Sequence, residues 1–130
     1  MEVARAYLEA FRDRRIDRCV SLFDPSSSVF EGEAQGSFER YARVHLAPEL
    51  EQARGIALNL DRPEVSLSEA GDLALVEWPI QRLTVQALDD RVFEGPGAAT
   101  FVLTRTQGPW RIRHLHWSTH LIESTRSAGL

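Results

Sequence analysis

Trp110-Arg-Ile-Arg-His-Leu-His-Trp-Ser-Thr-His120 reads as a β-strand, and the way its two faces divide sets the fold. Side chains alternate across a strand, so Trp110, Ile112, His114, His116, Ser118 and His120 are expected on one face. That face begins apolar and ends as a row of polar, proton-exchanging groups, carrying three of the four histidines in the chain. Burying such a row costs free energy unless it borders a wet or ligand-filled space. The pattern therefore predicts a sheet whose last strand floors a cavity. The opposite face starts with solvent-facing Arg111 and Arg113 and continues as apolar Leu115, Trp117 and Leu121. An apolar outer face needs cover.

Upstream of this strand, residues 73–86 and 91–106 also read as strands, the second interrupted by Gly95-Pro96-Gly97, which predicts a bulge or bend. Residues 56–67 are extended, with Pro63 marking an edge or bulge. Turn signals stand at residues 68–72, 89–90 and 107–109. The first third is helical instead. Val3, Tyr7, Ala10 and Phe11 recur at helical spacing, and Ile16, Val20 and Phe23 make a shorter apolar stripe that Asp24-Pro25 ends. Ser28-Val-Phe-Glu31 is extended. Ser37 is a suitable N-cap for a third helix, whose inward face carries Phe38, Tyr41, Ala42, His45 and Leu46 and which Pro48 kinks or restarts. Helices followed by a strand meander predict an α+β domain. Three N-terminal helices would cover the concave face of a cone-shaped, curved antiparallel sheet over residues 1–122, with residues 123–130 as a tail.

The 130 residues suffice for one domain with a single core. Hydrophobic residues at 43% and charged residues at 26% match an ordinary globular chain. A net charge of −4 gives no electrostatic case for nucleic acid or an anionic membrane as partner. No apolar run is long enough to span a membrane. All fifteen basic residues are arginine, which excludes Schiff-base chemistry and Walker-type phosphate loops and points to a GC-rich bacterial genome. Cys19 is alone, so no internal disulfide is expected and a cytoplasmic setting is; it reads as a buried structural thiol. The N-terminus shows no basic region leading into an apolar run, so no signal peptide is expected.

Four stretches, in this order, resemble a known family: Tyr7-Leu-Glu-Ala-Phe11 with Ile16-Asp17; Leu22-Phe-Asp-Pro25; Phe30-Glu-Gly-Glu-Ala-Gln-Gly36; and Gly108-Pro-Trp-Arg-Ile112 with His114-Leu-His-Trp-Ser118. Together they resemble the nuclear transport factor 2-like superfamily, with its ketosteroid isomerase-like and SnoaL-like members. The resemblance covers residues 3–120 and implies a cystatin-like α+β roll around a conical cavity. In motif it is nearest to the association domain of calcium/calmodulin-dependent kinases and its stand-alone bacterial relatives. The pocket of that domain is arginine-lined, whereas Phe101 and Trp117 stand at the corresponding positions here, so an anion pocket is not implied. The steroid isomerases use a helix tyrosine, a carboxylate base on the first short strand and a protonated aspartate on a later one. Tyr7 and Glu31 fall at the first two positions, but Thr100 stands near the third, so steroid isomerisation is not implied either.

Glu31 is the leading candidate for an acid or base, because a carboxylate facing a cavity loses hydration and its pKa rises; the alternative is an exposed loop carboxylate. His116 is the second catalytic candidate, since imidazole titrates near physiological pH, with a structural bond across the sheet as its alternative. Tyr7, His45, Trp78 and Ser118 are candidate ligand contacts, each also readable as packing or seam residues. His114 and His116 could ligate a metal from one strand face, but no tight third ligand accompanies them, so neither a metal nor another cofactor is expected. The expected function is binding of a small, mostly apolar ligand. A cofactor-independent isomerase or dehydratase-type enzyme and an oligomerisation module are the alternatives. An enzyme requires Glu31, Tyr7 and His116 to converge, a binder only an apolar cavity with one or two polar anchors, and a module a filled cone. The expected protein partner is a second copy, docked across the convex face that includes Leu115 and Trp117.

Overall fold

Helix α1 (Glu2–Arg12) buries Ala4, Tyr7, Leu8, Ala10 and Phe11, the stripe that a 3.6-residue repeat places on one side. The computed structural model describes residues 2–124. Arg14, at a φ of 59°, reverses the chain into α2 (Ile16–Ser21), which buries Cys19. Helix α3 (Phe38–Tyr41) starts at Ser37, whose Oγ accepts the Arg40 N–H at 3.1 Å; such a cap contributes about 1 kcal/mol. The helical path continues through a π turn, Ala42–Leu46, into α4 (Ala47–Glu51). Pro48 explains the wide turn. It offers no N–H to the Val44 carbonyl, and its ring would crowd that carbonyl. The turn opens, and the Ala47 N–H donates to the Ala42 carbonyl instead.

Among the described residues, eight strands form one sheet: β1 (Phe23–Glu31), β2 (Glu33–Gly36), β3 (Ala53–Leu60), β4 (Glu64–Leu67), β5 (Leu73–Ala87), β6 (Val92–Thr104), β7 (Arg111–Thr119) and β8 (Ile122–Glu123). Their order is β2-β1-β7-β6-β5-β3, with β4 also on β5 and β8 on β6. The α+β roll expected from the element order is what forms. One pair departs from the antiparallel rule: β1 and β7 run parallel. No hairpin links them, so nothing in the connection forces them antiparallel. Ile122 and Glu123 pair with Glu94 and Phe93, which keeps the chain in the sheet at the start of the expected tail. Residues 125–130 lie outside the described residues.

Aromatic packing ties the layers together. Phe23 and Phe38 stack at 3.7 Å, and Tyr7 meets both edge-on at 5.5 and 5.6 Å, and Phe101 at 5.8 Å. Such pairs add about 0.5–1.5 kcal/mol each beyond their buried area. They join α1, β1, α3 and β6.

Two of the register shifts in the sheet bear on the site. On β5, Gln81 and Arg82 together oppose Pro96, because Ile80 pairs with Gly97 and Leu83 with Gly95. This is the interruption that Gly95-Pro96-Gly97 foretold. On β7, Ile112 pairs with Leu103 and His114 with Val102, which leaves Arg113 as an extra residue. An extra residue reverses the alternation beyond it. Leu115 and Trp117, 0% and 5% exposed, therefore face inward, while His116 and Ser118 are exposed on the convex face and His114 is half-buried there. The expected faces of the last strand are thus exchanged after Arg113. Leu115 and Trp117 do not belong to the convex surface.

Candidate functional site

Between the concave face of the sheet and the helical segment 38–51 lies a cavity of about 520 Å³. That size is within the range of small-molecule sites. Its wall is largely apolar: Phe11 from α1, Leu46 and Leu50 from the helical segment, Val85 from β5, Phe93 from β6 and Trp117 from β7. The ionisable groups on it are Glu31, Tyr41, Glu49 and Arg91.

Three of those four form one cluster with His45. The Tyr41 hydroxyl donates to Glu31 Oε1 at 2.6 Å, and His45 Nε2 lies 3.3 Å from the same oxygen. His45 Nε2 is also 3.1 Å from Glu49 Oε1. The imidazole stacks on the Tyr41 ring with centroids 5.2 Å apart and planes at 23°. Residues four apart on a helical path share one face, which brings the two rings together. Glu31 reaches the cluster because it ends β1, just before Gly32 turns the chain with a positive φ of 72°.

Burial sets the protonation behaviour. It holds the Tyr41 phenol well above its ordinary range, and Tyr7 and the bonded, negatively charged Glu31 push the same way. Tyr41 therefore remains a donor. Burial also raises the Glu49 carboxyl; His45 opposes the rise and Glu31 adds to it.

Arg91 is held apart from this cluster. Its Nε lies 2.8 Å from Asp89 Oδ2, its Nη1 3.8 Å from Glu123 Oε1, and its guanidinium covers the Phe93 ring at 5.3 Å.

Of the residues singled out from sequence, Glu31 and His45 come together here. The others do not join them. Tyr7 is 1% exposed inside the aromatic core, where burial, then Cys19 and Glu31, hold its phenol well above the ordinary value; its place on the cavity wall is taken by Tyr41. Trp78, 2% exposed, is a core residue whose Nε1 donates to the Asp61 carbonyl at 2.8 Å. His116 and Ser118 are turned outward by the Arg113 bulge, His116 meeting Phe30 edge-on at 5.1 Å. Glu31, Tyr7 and His116 therefore do not converge. The site residues not singled out were Tyr41, Glu49 and Arg91, of which Tyr41 and Glu49 bracket His45 at four-residue spacing. Among the described residues, no group of three or more His, Cys, Asp or Glu side chains is placed to hold a metal, and no helix is long and apolar enough to cross a membrane.

The SnoaL-like domain family model matches residues 1–122. The chain belongs to the SnoaL-like family. Solved structures agree on the fold of this SnoaL-like domain. A nuclear transport factor 2-like superfamily protein of Salmonella enterica superposes with a TM-score of 0.78 at 19% identity, over 98% of this chain and 91% of that one. A candidate ketosteroid isomerase from Shewanella frigidimarina gives 0.73 at 19% identity, over 90% and 92%. A hexachlorocyclohexane dehydrochlorinase from Novosphingobium barchaimii gives 0.77 at 11% identity, over 98% and 87%. At these identities the likeness extends to the fold alone. No curated protein matches the chain.

Proposed function

We propose that this SnoaL-like domain binds one small, mostly apolar molecule in the cavity between the sheet and helical segment 38–51. The supporting observation is the unfilled, largely apolar space of about 520 Å³ with a bonded polar cluster on its wall. The lone buried thiol, Cys19, suits the cytoplasmic setting we propose for it. The test is titration with the neutral fluorophore N-phenyl-1-naphthylamine, beside native mass spectrometry of freshly purified protein for a co-purified organic molecule. Saturable binding that is lost when Ile56→Trp fills the cavity supports the reading. A fluorophore response unchanged by Ile56→Trp overturns it.

A second reading, cofactor-independent acid–base catalysis, draws on the short Tyr41–Glu31 hydrogen bond at the cavity wall. It requires Glu31 to take a proton from the bound molecule. Deuterium uptake from heavy water by a bound aryl ketone, abolished by Glu31→Gln with binding retained, would establish it.

We also propose that the convex face meets a second copy of the chain. Its apolar members include Phe30, Leu73 and Leu75, 39%, 46% and 37% exposed, and half-buried Val102.

A further inference from the structure

Besides the neutral side chains of Gln52 and Thr119, the polar groups of the cavity wall are an acidic cluster and one arginine. Glu31 Oε1 already accepts from Tyr41 and lies beside His45, and Glu49 Oε1 lies beside the same His45 nitrogen. The Tyr41 hydroxyl hydrogen and the His45 Nε2 position are both committed to these oxygens. The contacts of Glu31 and Glu49 within the cluster run through their Oε1 atoms, 2.6 to 3.3 Å from Tyr41 and His45. The two carboxylates of the cluster thus offer more acceptor positions than the Tyr41 hydroxyl and His45 Nε2 can fill. A carboxylate has only acceptors to offer and would add a like charge in a partly desolvated place.

Charge points the same way. With the imidazole protonated, Glu31, Glu49 and His45 still sum to one negative charge. Arg91, the only cation on the cavity wall among the described residues, does not compensate: Asp89 holds its Nε and Glu123 approaches its Nη1. Arg91, Asp89 and Glu123 again sum to one negative charge. No unneutralised positive group stands on the wall to receive an anion.

We infer that the molecule this cavity selects is an apolar amine, protonated at neutral pH, its hydrocarbon body in the cavity and its ammonium between Glu31 and Glu49. The inference rests on the cavity-binding reading above and narrows it to a chemical class. An ammonium brings three donors to the remaining acceptor capacity of the two carboxylates, as charge-assisted hydrogen bonds. The apolar walls around Val85, Phe93 and Trp117 take the rest of the molecule.

Calorimetric titration with three ligands of one shape tests this: 2-naphthylmethylamine, 2-naphthalenemethanol and 2-naphthoate at pH 7. The amine is expected to bind at least about tenfold tighter than the carboxylate, the scale of one hydrogen bond to a charged group, with the alcohol between them. Glu31→Gln with Glu49→Gln should bring amine and carboxylate to within about twofold, with the fold confirmed by circular dichroism. Glu33→Gln, an exposed carboxylate outside the cluster, should leave the preference intact and so separate site chemistry from the net charge of −4. Carboxylate binding as tight as amine binding, or an amine preference that survives the double substitution, overturns the inference while leaving the cavity reading in place. Failure of all three ligands to bind overturns both.

Discussion

Glu49, on the cavity wall, has its carboxyl raised, first by burial and then, against the pull of His45, by Glu31. A raised carboxyl means the folded chain holds that proton more tightly than the unfolded chain does. Its contribution to stability is therefore complete at low pH and is lost as the pH rises through its folded titration. Glu49→Gln should accordingly raise the Tm above neutrality, the gain closing as the pH is taken down through the carboxylate range. Scanning fluorimetry across that range checks it; a Tm lowered above neutrality would mean the His45 contact outweighs burial. Cys19 offers a second test at this scale. Burial pushes its thiol up to about 12, so it should ignore a thiol-reactive disulfide reagent at mildly alkaline pH and react fully in urea. Labelling of the native protein at the rate of the unfolded one would contradict this. Both Glu31 and His45 were readable in the sequence as inward polar groups. Choosing Tyr41 over Tyr7 was not, because each lies on the inward face of its helix. Only the aromatic cluster of Phe23, Phe38 and Phe101 decides that Tyr7 is core.

At the scale of elements, the strand breaks carry the shape. Gly95-Pro96-Gly97 was legible as a bend, and the reason glycine is required emerges from the packing. A Cβ at Gly95 would collide with the His120 carbonyl oxygen, and one at Gly97 would stand 2.5 Å from the Ser118 carbonyl oxygen. Backbone cannot step aside as a flexible side chain can. Gly95→Ala should cost about 1–3 kcal/mol or more in urea denaturation, whereas Gly55→Ala, with nothing within 4 Å of its Cβ position, should be nearly neutral. Equal effects of the two would refute the crowding argument. The Arg113 bulge was the one break that reversed a prediction. Strict alternation from Trp110 puts His116 inside and Trp117 outside. Yet Ile112 and Leu115 are three residues apart and both fully buried, which an unbroken strand covered on one face does not permit. The odd spacing of two large aliphatic residues was the available signal. The released Arg113 guanidinium donates to the Ser26 carbonyl at 2.5 Å, on the strand that runs parallel to β7.

For the molecule as a whole, element order was enough to give the roll, because helices that precede a strand meander have one concave face to cover. Which residues point out of that roll decides how it associates. The convex face presents Phe30, Leu75 and Val102 around His114 and His116, and an apolar patch on a sheet face favours a partner. The His114 imidazole is held below its ordinary value, first by burial and then by His116 and Arg113, while Ser28 opposes the shift. Its Nδ1 lies 2.8 Å from the Ser28 hydroxyl. A lowered histidine pKa leaves the group neutral through the physiological range and charges it only below the usual histidine titration, so its contribution is present at higher pH and lost as the pH falls. A two-fold pairing across this face would bring His114 and His116 near their own copies or near Glu77, which lies across Thr100 from His116. Where His114 meets its own copy, charging it opens the interface. Light scattering after size exclusion should therefore show a dimer at micromolar concentration and neutral pH, weakening as the pH falls below that range. Val102→Arg should give a monomer with the cavity ligand still bound. A wild-type monomer at neutral pH removes the convex-face dimer, and a dimer that tightens on acidification would instead place the histidines against Glu77 of the second copy.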